Sequence, residues 1–115
     1  MIMTSNAEGA DKVCLKVDAG VCRFRTTILA WVNDEGDVFF DIESECSYAS
    51  KLSDKLSLGT PVFEIMKMPY ADNVIYQCCS ILPHSSCPIP SALIKAAEVA
   101  AGFGIARDVR VVFEH

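Results

Sequence analysis

Two runs of strand-forming residues flank Asp34-Glu35-Gly36-Asp37, and this pairing constrains the chain more than any other feature. From Arg23 to Asn33 the sequence is dense in Phe, Thr, Ile, Trp and Val, which suit a pleated, half-buried surface. Phe24, Thr26, Ile28, Ala30 and Val32 share one face, and Arg23, Arg25, Thr27, Leu29 and Trp31 share the other. Gly36 supplies the positive φ of a tight hairpin. The chain returns from Val38 to Glu43 with Val38, Phe40 and Ile42 directed inward. A turn centred near residues 35 and 36 leaves Cys22 and Cys46 thirteen and eleven residues from it. Both thiols are therefore expected at the open end of one hairpin, roughly one or two strand spacings apart.

The remaining chain fills in around that hairpin. Lys12 to Val17 alternates as a first strand, with Val13, Leu15 and Val17 inward and Cys14 on the polar face. Ser44 or Ser47 can cap a helical segment carrying Tyr48, Leu52, Leu56 and Leu58, closed by Gly59, which puts Cys46 at a strand-to-helix junction. Thr60-Pro61 opens a short helix, Val62 to Met68, and Pro69 ends it. Asp72 caps a further helix with Val74, Ile75, Cys78, Ile81 and Leu82 as its apolar side, terminated by Pro83. Asp108 to Glu114 alternates again through Val109, Val111 and Phe113, a closing strand expected beside the first or second strand. The order β-β-β-α-α-α-α-β reads as an α+β two-layer sandwich, an antiparallel sheet with helices on one face. Residues 12–115 form one domain in this reading, and residues 1–11 a flexible tail. The expected core contains Val13, Leu15, Phe24, Ile28, Phe40, Ile42, Leu93, Val111 and Phe113.

The stretch His84-Ser85-Ser86-Cys87-Pro88-Ile89-Pro90 carries the chemistry. Pro88 fits the first turn of a helix, where its missing N–H has no partner to lose, and leaves Cys87 at the cap. Ile89, Leu93, Ala96, Ala97 and Ala100 then form one helical stripe, and Gly102 stops the helix. A thiol at a helix N-terminus faces unpaired N–H groups and the positive dipole end, which favour thiolate. His84 adds a second donor three residues earlier.

Charge and composition narrow the function classes. Ten Lys and Arg against fifteen Asp and Glu give a net charge of −5 with no basic run, which disfavours nucleic acid and anionic membrane as partners. No export signal and no membrane-length apolar run is visible, so the reading is a cytoplasmic protein. A mean hydropathy of +0.30 is high for so small a chain. It points to a surface for a homodimer or another protein partner around Trp31, Phe39, Met66 or Met68. No Gly-rich phosphate loop is present, since Gly102-Phe103-Gly104 follows a helix rather than opening one.

Six cysteines without an export signal suggest metal, redox chemistry or burial rather than disulfides. There is no C-x-x-C pair, so any metal site has to be assembled by the fold. The set expected to converge is Cys22, Cys46, His84 and Cys87, three sulfurs and one imidazole, which suits tetrahedral zinc. Should Cys78 or Cys79 turn inward, four thiolates suit an iron–sulfur cluster. On a helix these two point about 100° apart, so at most one faces a given site. The alternative is thiol or persulfide chemistry at Cys87. Cys87-Pro88-Ile89-Pro90 resembles the CPxP motif of small sulfur-carrier proteins, whose cysteine carries a persulfide between partners. Taken together, Asp18-x-Gly20-x-Cys22-x-Phe24, Ser44-x-Cys46 and His84-x-x-Cys87-Pro-x-Pro, with Lys95, Glu98 and Gly102, are similar to a family of small uncharacterised proteins of anaerobic prokaryotes. That resemblance implies only that Cys22, Cys46, His84 and Cys87 travel together.

Overall fold

The computed structural model describes residues 12–20 and 22–115. The tail expected over residues 1–11 lies outside them. Three strands, β1 (Val13–Asp18), β2 (Arg25–Val32) and β3 (Asp37–Ser44), form an antiparallel meander. The β2–β3 register pairs Val32 with Val38, Ala30 with Phe40 and Ile28 with Ile42, as a turn centred on residue 35 requires. The turn is closed by Asn33, whose Oδ1 accepts from the N–H groups of Glu35 and Asp37 at 3.0 and 2.9 Å. Gly36 takes φ +85°. Two short helices, α1 (Ser47–Ser50) and α2 (Leu52–Lys55), lie against β3. A two-residue strand, β4 (Thr60–Pro61), pairs with the start of β3 and leads into α3 (Val62–Ile65). Then come α4 (Val74–Cys78), a single 3₁₀ turn (Cys79–Ile81) and α5 (Ile89–Ala100).

One face of the sheet is the core. Ile28 and Ala30 of β2 and Val38, Phe40 and Ile42 of β3 are buried beneath the helices. α5 crosses β1 and β2, bringing Ile89, Leu93, Ala96 and Ala97 onto Leu15, Val17 and Ile28. Asn73 is wholly buried and fully paired. Its Oδ1 accepts from Ile75 and Tyr76 at the start of α4, and its Nδ2 donates to the carbonyls of Ile65 and Lys67, both at 2.8 Å. It therefore ties α4 to α3, and it is the α4 cap in place of Asp72. The other face of the sheet is open. There Trp31 stacks on Phe39 with ring centroids 6.0 Å apart, and Lys12 Nζ sits 4.3 Å over the indole. Gly59 passes so close to Phe39 that a Cβ would meet its ring at 2.9 Å. Met68 is exposed, and Met66 is partly so.

The α+β class is as the pattern implied, but several expectations are overturned. Asp108–Glu114 is not a strand, and Val111 and Phe113 are 94% and 89% exposed instead of core residues. Alternation specifies a face, yet a strand also needs a neighbour, and none stands beside this segment among the described residues. Phe24 is 42% exposed. Arg23 takes φ +61°, so β2 begins at Arg25 and Phe24 falls outside the alternation. The segment between β3 and β4 breaks into α1 and α2, and Leu58 lies in solvent.

Candidate metal centre

The site is built where the three strands end and α5 begins. At the β1–β2 connection, Asp18 Oδ1 accepts from Gly20 N–H at 3.1 Å and Arg23 N–H donates to Gly20 O at 2.8 Å. Gly20 takes φ +87°, and this tight loop presents Cys22. On the other side, Thr26 and Ser44 are directly paired across β2 and β3, and their hydroxyls lie 2.7 Å apart. Arg25 N–H donates to Glu45 Oε1 at 2.8 Å, and Glu45 N–H donates to Arg25 O at 3.1 Å. These bonds hold the hairpin's open end shut. Cys46 follows at once as the N-cap of α1, its N–H on Ser44 Oγ at 3.0 Å. The third component is the turn before α5, in which Cys87 N–H donates to His84 O at 3.1 Å. Pro88 is the N-cap and Ile89 the first helical residue, one position later than the sequence implied.

These elements border a cavity of about 360 Å³ that is open to solvent on one side. Cys22, Cys46, His84 and Cys87 all line it, together with Phe24, Tyr48 and Ile89. The three thiols are half-buried and His84 is exposed at the rim. Among the described residues, no three Cys, His, Asp or Glu side chains stand close enough as they are to hold a metal ion. Cys87 nevertheless feels the other two. Burial pushes the Cys87 thiol above its ordinary 9.0, and the neighbouring Cys22 and Cys46 sulfurs push it further the same way. The Ile89 N–H at the start of α5 acts in the opposite direction. The helix start thus favours thiolate as expected, but desolvation outweighs it.

Cys78 and Cys79 do not line this cavity. Cys79 belongs to the hydrophobic core, where burial and the adjacent Cys78 and Cys87 thiols push it up to about 12. Cys78 is half-buried against the same core, and burial raises it despite the nearby Lys55 charge. Cys14 is exposed on the open face of β1. Sequence reasoning did not find the aromatic walls. Phe24 was expected in the core, and Tyr48, on α1 just past Cys46, carried no signal beyond its helical spacing. Among the described residues, no helix is long and apolar enough to cross a membrane.

The profile of a family of unknown function (DUF6951) matches residues 13–113. No curated protein and no solved structure matches the chain.

Proposed function

The chain belongs to this family of unknown function, and from the geometry of the cavity we propose that it is a small metal-binding protein. Cys22, Cys46, Cys87 and His84 are its ligands. The observation that carries the reading is the common cavity: four donors from three separate segments line one space, although no two of these segments are adjacent in sequence. The electrostatics support it. Cys87, raised by burial and by the neighbouring Cys22 and Cys46 sulfurs, is a poor anion on its own, and a bound cation reverses that logic by stabilising the thiolate beside it. Binding entails closure of the β1–β2 loop and the turn before α5 around the ion.

Zinc fits this donor set better than an iron–sulfur cluster. Three sulfurs and one imidazole make a tetrahedral set, whereas a fourth thiolate from Cys79 would have to leave the core and give up a proton held to about 12. The second reading, a thiol or persulfide carrier at Cys87, has the Ile89 N–H in its favour. The net upward displacement of the Cys87 thiol weighs against a ready nucleophile.

The test is elemental analysis of anaerobically purified protein and its single serine variants. The expected result is about one zinc per chain, lost in Cys22→Ser, Cys46→Ser and Cys87→Ser and retained in Cys14→Ser. Metal-free wild-type protein that also fails to take up added zinc overturns the reading. So does a metal content that Cys87→Ser leaves unchanged.

A further inference from the structure

The sheet has two edges, β1 and β4. β4 is two residues long and ends in Pro61, which has no N–H to offer another strand. β1 is six residues long and, among the described residues, pairs on one side only. Its outer row of N–H and C=O groups is a template for one more strand. The same molecule carries a segment patterned as such a strand. From Asp108 to Glu114 apolar and other residues alternate, and Val109, Val111, Val112 and Phe113 are all exposed.

The exit from α5 decides which edge this segment meets. Gly102 takes φ +84°, and the N–H groups of Phe103 and Gly104 both donate to Glu98 O at 2.8 and 3.1 Å. These bonds set the direction in which the chain leaves the helix. The Phe103 ring then sits 6.1 Å from that of Phe63 on α3, the helix that directly follows β4. At Phe103 the chain thus runs on the α3 and β4 side, and residues 108–114 pair with no strand of their own copy among the described residues.

We infer that residues 108–114 of one copy add as an outer strand to β1 of a second copy. Val109, Val111 and Phe113 continue the helix-covered face of Val13, Leu15 and Val17, while Arg110, Val112 and Glu114 lie beside Cys14 and Lys16. Strand addition of this kind draws affinity from main-chain hydrogen bonds and specificity from alternate side chains. Arg110 and Glu114 offer charges opposite to those of Asp18 and Lys16 on the exposed face of β1.

Light scattering on the full chain at tens of micromolar reads the assembly, and Cys14 provides an internal reporter of the pairing. Wild-type protein is expected at twice the 12.5 kDa chain mass or more. The double variant Val111→Asp/Phe113→Asp should fall to one chain mass with unchanged far-ultraviolet circular dichroism, because both side chains are already exposed in the single copy. In a cysteine scan across residues 109–114, one or more of Arg110→Cys, Val112→Cys and Glu114→Cys should form an intermolecular disulfide that Cys14→Ser abolishes. Positions 109, 111 and 113 should form none. A monomeric wild type overturns the inference, as does a cross-link to Cys14 within one chain. An assembly that the double variant leaves intact also overturns it, and would place association on the Trp31–Phe39 face.

Discussion

Cys79 and Asn73 show how much a single buried side chain decides in this small core. The Cys79 thiol holds its proton to about 12, whereas an ordinary thiol releases it near 9.0. Between those values the folded chain binds more protons than the unfolded one, so stability falls as pH rises through that window and is complete below it. In metal-free protein, the stability advantage of wild type over Cys79→Ala should therefore shrink once urea melts are run above pH 9.0. A gap that does not change with pH would mean the thiol is not held in this way. Asn73 makes four hydrogen bonds while wholly buried. Asn73→Ala removes the α4 cap and orphans two carbonyls, and should cost about 2–4 kcal/mol in urea unfolding. Asn73→Asp keeps the cap but cannot donate to Ile65 and Lys67, so it should recover only part of that loss. The cap was misread by one residue because Asp72 and Asn73 are both good caps. Only Asn has the amide donor that the end of α3 requires.

Among the elements, α5 and the β2–β3 hairpin were legible from local periodicity. The stripe Ile89, Leu93, Ala96 and Ala97 is the buried face of α5. The turn centre near residue 35 set the register of every pair from Thr26–Ser44 to Val32–Val38. Leu93 is fully buried where α5 crosses the sheet, so Leu93→Ala should cost about 2–5 kcal/mol in chemical denaturation. A loss of a few tenths would show that the helix does not hold the core closed. Other elements were not legible, for physical reasons. β4 is two residues long, too short for a period, and it forms because Gly59, with φ +89°, turns the chain in beneath Phe39. The alternation at 108–114 looks the same in sequence whether its partner strand belongs to this chain or to another.

For the whole molecule, the central matter is how residues far apart in sequence come to share one cavity. Hairpin pairing alone predicts that Cys22 and Cys46 meet, and the bonds joining Arg25 to Glu45 and Thr26 to Ser44 keep that end shut. Cys87 and His84 were expected to join them from donor chemistry, and they line the same cavity because α5 starts at the hairpin's open end. The aromatic walls at Phe24 and Tyr48 were hidden, one by the break at Arg23 and the other by a helix only four residues long. Because Cys87 is displaced upward, ion binding has to expel its proton, so zinc affinity should weaken as pH falls. X-ray absorption at the zinc edge of the zinc-loaded full chain tests the account most directly. The predicted shell is three sulfurs at about 2.3 Å and one nitrogen at about 2.0–2.1 Å, losing one sulfur in Cys87→Ser. A shell of oxygen and nitrogen alone, or a sulfur count that Cys87→Ser leaves unchanged, would contradict it.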